Sequence, residues 1–106
     1  MSILSVFLQN ERGEVRATVD HIRILDARDN PVIPRGPEEQ FLYLRYIDRY
    51  GDTVFNKYQM IPFIDEWDRL SERASTPEQI EKLAEVRALA VQCREGRHLY
   101  LKFQGD

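Results

Sequence analysis

The sequence predicts an α+β fold: an antiparallel sheet of about five strands carrying a two-helix hairpin on one face, in the chain order β-β-β-β-α-α-β. Three observations predict it. Apolar residues recur with a period of two in the segments between Ile3 and Phe55, the period becomes 3.6 after Asn56, and a period of two returns from His98 to Phe103. Strands grouped before helices, without regular alternation, favour an antiparallel sheet over a parallel one.

Ile3 to Leu8 is the first strand. Leu4, Val6 and Leu8 fall on one face and Ile3, Ser5 and Phe7 on the other, and two mostly apolar faces suggest an inner position. Gln9 to Glu14 supplies turn chemistry, with Gly13 free to take a positive φ. Val15 to Val19 returns as a hairpin strand and Ile22/Ile24 continue the pattern. A helical stripe through Val15, Val19, Ile22 and Leu25 competes with it, but the Val, Thr and Ile content and the lack of a helix cap favour strands. Asp26 to Asn30 then reads as a turn, and Pro31, Pro34 and Pro37 punctuate a loop through Glu39.

Phe41 to Asp48 reads as the clearest strand, with Leu42, Leu44 and Tyr46 alternating against Phe41, Tyr43, Arg45 and Ile47. Arg49 to Asp52 connects it to Thr53, Val54 and Phe55, so the two form a predicted hairpin. Beyond Asn56, Met60, Phe63/Ile64, Trp67 and Leu70 make an apolar helical stripe while Asp65, Glu66, Asp68, Arg69, Glu72 and Arg73 cover the rest. Pro62 belongs in the first turn. A second helix opens with Thr76 as N-cap, Pro77 at its first position and Gln79 closing a capping box. Ile80, Leu83, Val86, Ala90 and Cys93 line its inner face, and Gly96 ends it. His98 to Phe103 is the last strand, with Leu99, Leu101 and Phe103 inward.

The chain has 106 residues, 42% hydrophobic and 31% charged, with a mean hydropathy of −0.52. That is the profile of one domain, residues 1–106, with a packed interior and a water-facing exterior; collagen-like, disordered and membrane-spanning classes are excluded. Fifteen basic against eighteen acidic residues leave a net charge of −3, so no nucleic-acid partner is expected. The run from Ile3 to Leu8 has no basic residue before it and is too short for a signal peptide or membrane helix. Cys93 is the single cysteine, so no internal disulfide forms, and no Cys/His spacing suits zinc. The expectation is a cytoplasmic protein without membrane partner, metal or cofactor.

Catalytic signals are sparse. His21 and His98 are far apart in the chain, no serine lies in a G-x-S-x-G elbow, and no glycine-rich phosphate loop occurs. Cys93 falls on the apolar stripe of the second helix and reads as a buried, inert thiol. The carboxylates of Asp48 and Asp52 suit a tight turn better than a calcium loop. No catalytic residue is assigned.

Aromatic placement is the distinctive feature. Eight of the eleven aromatics lie between residues 41 and 67. Phe55, Phe63 and Trp67 fall on inward faces, whereas Tyr43, Tyr50 and Tyr58 lie outward beside Arg45, Asp48, Arg49 and Asp52. Tyrosine and arginine flanked by carboxylates make a protein-binding patch, in which aromatic area anchors and charge steers. The leading expectation is therefore a non-enzymatic module that covers a site on a protein partner of unknown identity, for which an immunity or antitoxin-type inhibitor is a concrete version. One alternative is an enzyme or small-ligand binder with a pocket near Tyr46, Asp48, Asp52 and His98. Another is a homodimer built by pairing edge strands, with the first or last strand as candidate.

Overall fold

The computed structural model describes residues 4–22, 41–48 and 50–105, apart from the side chain of His21. The expected turn at Asp26 to Asn30, the proline-punctuated loop through Glu39, and Arg49 lie outside the described residues.

Strands β1 (Leu4–Asn10) and β2 (Val15–Ile22) form an antiparallel hairpin. Its turn is built around Asn10, whose buried side-chain oxygen accepts the amides of Arg12 and Glu14 at 2.9 Å while its Nδ2 donates to Glu14. Gly13 supplies the expected positive φ of 82°, which costs glycine nothing. Residues 15–22 are strand, so the β-branched content prevailed over the helical stripe.

After the segment around residue 41 come β3 (Asp52–Phe55), helix α1 (Met60–Ser71), helix α2 (Pro77–Glu95) and β4 (Leu99–Gly105). Among the described residues the sheet has four strands in the order β2-β1-β4-β3, all antiparallel. This is the α+β architecture the patterning predicts, with one strand fewer. Both β1 and β4 are inner strands, so among the described residues the edge strands are β2 and β3 rather than the first and last strands.

The missing strand is Phe41 to Asp48. Leu44–Tyr46 instead coil into a 3₁₀ turn, so the expected hairpin with β3 does not form and the ladder of β3 among the described residues is with β4. The physical reason is a second period in the same residues. Phe41, Leu44 and Ile47 are 2, 0 and 7% exposed whereas Leu42 and Tyr46 are 55 and 63% exposed. A spacing of three suits the three residues per turn of a 3₁₀ helix, and alternation is broken where Leu42 and Leu44 should share a face.

Both helices lie on one face of the sheet, and the core lies between the layers. Leu4, Val6 and Leu8 of β1, Ile22 of β2, Phe55 of β3 and Leu101 and Phe103 of β4 meet Met60, Phe63, Trp67 and Leu70 of α1 and Leu83, Val86, Ala90 and Cys93 of α2. Its centre is aromatic: Phe63 sits 5.1 Å from Phe55 and 5.5 Å from Trp67, and Phe103 lies 5.9 to 6.0 Å from all three. Offset and tilted rings at such separations add to the stabilisation from buried area. The indole N–H of Trp67 donates to the Leu83 carbonyl at 2.9 Å, which satisfies a buried donor and pins α1 to α2.

The helix signals hold with three corrections. Thr76 caps α2 by accepting the Gln79 amide at 3.1 Å and Pro77 opens the helix. The Gln79 side chain, however, accepts the amide of Ser75 rather than closing a box on Thr76. A reciprocal capping box does occur where Asn56 and Gln59 bracket the short 3₁₀ turn Lys57–Gln59 ahead of α1. Ile80 is exposed and Leu89 takes its place in the buried stripe. Gly96 ends α2 with φ of −85°. A Cβ there would press on the movable end of the Leu99 side chain and come within 3.0 Å of the Gln92 carbonyl, so close packing rather than a left-handed cap favours glycine.

Phe103→Ala is expected to cost ~3–5 kcal/mol because it empties the middle of the aromatic cluster. Val54→Ala, on the exposed side of β3, is expected to cost less than about 1 kcal/mol. Urea unfolding of the two variants measures the difference.

Candidate functional site

The predicted patch depends on how residues 41–48 are held, since they no longer belong to the sheet. Glu66 holds them. It lies on α1 next to the core and is 3% exposed; the sequence places it among the solvated charges of the helix. One carboxyl oxygen accepts the amides of Tyr43 at 3.0 Å and Leu44 at 3.2 Å, and the other accepts Tyr43 at 3.1 Å. Those amides open the 3₁₀ turn and have no partner within it. At the start of the segment the buried Phe41 ring lies under the guanidinium groups of Arg69 and Arg73, at 5.5 and 4.8 Å. At its end the Thr53 hydroxyl accepts the Asp48 amide at 2.8 Å and donates to the Tyr46 carbonyl at 3.4 Å. One side chain of β3 thus replaces the expected ladder.

These anchors stand the turn beside β3 and leave a groove of about 450 Å³ between them. Leu42, Tyr43, Arg45 and Tyr46 form one wall, and Thr53, Val54, Phe55 and Gln59 the other. Tyr43 is half-buried and packs on the core. Arg45 is half-buried too: its Nη2 donates to the Tyr46 hydroxyl at 3.2 Å, and its guanidinium carbon lies 5.1 Å from the Tyr46 ring centre. Its Nε is buried without a hydrogen-bond partner.

The other predicted residues are spread around this groove. Asp48 is exposed and accepts the Tyr50 amide at 2.8 Å, shaping the turn as its composition suggests. Tyr50 projects into solvent. Asp52 pairs with Lys102 at 3.4 Å. Tyr58 is also exposed but lines a separate cavity of about 330 Å³ with Asn56, Lys57, Arg97, His98 and Tyr100. The structure therefore brings Tyr43 and Arg45 together in one groove, sets Asp48, Tyr50 and Asp52 on the adjoining surface, and puts Tyr58 elsewhere. Sequence reasoning missed Leu42 as an exposed groove residue and named Tyr46 only for the alternative pocket, although the spacing of Phe41, Leu44 and Ile47 carried the signal.

The alternative pocket of Tyr46, Asp48, Asp52 and His98 does not assemble. Tyr46 lines the first cavity, His98 the second, and neither aspartate lines either. Asp52 is opposite Gln104 on β4, while His98 precedes the other end of that strand. Six residues of extended chain separate these positions by roughly 20 Å, too far for shared proton transfer. His98 instead occupies the α2–β4 turn, with φ of 55°, a region histidine enters more readily than most residues.

Cys93 is fully buried, as its place on the α2 stripe implies. Burial raises its thiol pKa from 9.0 to about 11, with Lys57 opposing the shift. Among the described residues no group of three His, Cys, Asp or Glu is placed to hold a metal ion, and no helix is long and apolar enough to cross a membrane. Comparison with protein-family models, curated proteins and solved structures finds no match to this chain.

Two outcomes are expected. Glu66→Ala strands two amides and should lower stability by about 3 kcal/mol, with Glu66→Gln, which keeps an acceptor oxygen, costing less than half as much; chemical denaturation checks both. For Cys93 the unfolded chain releases its proton first, so the thiol's contribution is fully present below pH 9.0 and is lost as pH rises towards about 11. Stability followed over that window should fall in the wild type more than in Cys93→Ala, and thiol alkylation at neutral pH should proceed only as fast as the protein opens.

Proposed function

We propose that the chain is a non-enzymatic protein-binding module that covers a site on a partner protein, using the face formed by Tyr43, Arg45, Tyr46, Asp48, Tyr50 and Asp52. The observation that carries this reading is the exposure of large side chains in one stretch: Leu42, Tyr46, Tyr50 and Val54 are each at least half exposed. They make little contact with the core, so folding does not account for them. Clustered exposed apolar groups with arginine among them are the usual composition of a recognition surface. The small size and net charge of −3 suit a cytoplasmic inhibitor of the immunity or antitoxin type, an analogy of size and charge.

The enzyme reading draws no comparable support, since its four candidate residues are divided between two ends of β4. The homodimer reading moves to the β2 and β3 edges.

The double variant Tyr46→Ala/Tyr50→Ala tests the proposal. Its melting temperature should stay within about 2 °C of the wild type, while affinity for the partner isolated with the wild-type chain falls at least about tenfold. A drop in melting temperature with unchanged affinity makes these tyrosines structural. A stable dimer in light scattering that is lost in the double variant makes a second copy of the chain the partner.

A further inference from the structure

The hydrogen-bond phase of β3 specifies what the groove offers. The Gly105 amide donates to the Gly51 carbonyl at 2.9 Å, and the register places Asp52 opposite Gln104, Thr53 opposite Phe103 and Val54 opposite Lys102. In an antiparallel ladder residues alternate between facing the partner strand and facing away. Thr53 and Phe55 therefore spend their main-chain groups on β4, and Asp52 and Val54 turn theirs to the open edge. No described residue bonds to the main chain of Val54 on that side. Val54 also lines the groove, opposite Arg45 and Tyr46.

The charge in the groove is unbalanced. Asp52 is neutralised by Lys102 on the sheet face and Asp48 is turned onto the Tyr50 amide. Arg45 has no carboxylate partner among the described residues, only the Tyr46 hydroxyl and ring, and it keeps a buried Nε–H unsatisfied. An unmade bond of that kind favours turning the guanidinium toward an incoming acceptor. A carboxylate matches its planar fork with two parallel bonds.

We propose that the groove binds an extended segment of a partner protein that adds as a strand to the β3 edge, bonding the Val54 main chain, and places an acidic side chain on Arg45. This rests on the protein-binding reading above and names its mode: main-chain pairing gives affinity, and the Arg45–carboxylate contact gives specificity. Tyr46 and Leu42 supply the apolar wall against which the segment lies.

The probes are blocked heptapeptides of strand-forming residues with terminal lysines for solubility, carrying Glu at one of the three central positions, and twins with Gln there. Binding is read by amide and arginine side-chain NMR shifts. At least one Glu peptide should shift the Val54 amide and the Arg45 Nε–H and bind about tenfold more tightly than its Gln twin. Arg45→Gln should abolish the preference for Glu while leaving weak pairing. Val54→Pro should remove pairing with the sheet intact, because proline is tolerated where a strand's N–H faces outward; an N-methylated peptide tests the same bonds should that variant not fold. Equal binding of Glu and Gln peptides, shifts that map to β2, or no shift at millimolar peptide would each overturn the proposal. So would a dimer formed through β3 without peptide. If capture of the natural partner depends on Tyr46 and Tyr50 but not on Arg45 or Val54, this mode fails and the protein-binding reading stands; if it depends on none of the four, both fail.

Discussion

The hydrogen bonds from the Tyr43 and Leu44 amides to the buried Glu66 carboxylate are the constraint on which the surface of this protein depends. A carboxyl group next to the core is expensive unless its oxygens are used, and here both are used on the amides that begin a turn. Its neighbour on α1, Trp67, donates in another direction to Leu83 of α2. Consecutive residues thus fix two different elements: one orders the groove wall and the other joins the helices. The position of the turn relative to β3 follows from α1 as much as from the loop's own chemistry.

This division separates the residues that hold the fold from those left at the surface. Phe55, Phe63, Trp67 and Phe103 are committed to one cluster and leave no aromatic face for a ligand. Leu42, Tyr46 and Tyr50 do the reverse, offering area to solvent while their neighbours Phe41, Leu44 and Ile47 hold the chain down. A turn with buried residues at every third position produces this split, because it leaves two positions free of the core for each one that enters it. Substitutions at the outward positions leave the core alone.

Much of the fold was legible in the sequence because its signals are local. Gly13, the Thr76-Pro77 start of α2 and the change of period after Asn56 each act over a few residues, and each is found where the chain indicates. Failures occurred where the deciding partner is remote. Glu66 looks like any helix-surface acid until Tyr43, 23 residues away, is brought to it. Segment 41–48 satisfies two periods at once, and only packing against α1 selects the period of three. The site was read in part for the same reason: Tyr43 and Arg45 converge on the groove, but Tyr58 is carried to the far end of β3 by the capped turn at Asn56. Strand order is a tertiary property that no local pattern encodes, hence the wrong choice of edges.

The central place of β4 has a consequence for how the molecule comes into being. Leu4 lies opposite Gly105, so the main seam of the sheet closes between residues about as distant in sequence as this chain allows, an entropically costly and slow contact. Until β4 arrives, the β1–β2 hairpin and β3 share no hydrogen bonds, and the aromatic cluster lacks Phe103. Without β4 the fold is half a core with two strand edges bare. Folding therefore passes through a stage in which unpaired strand edges are the chief hazard.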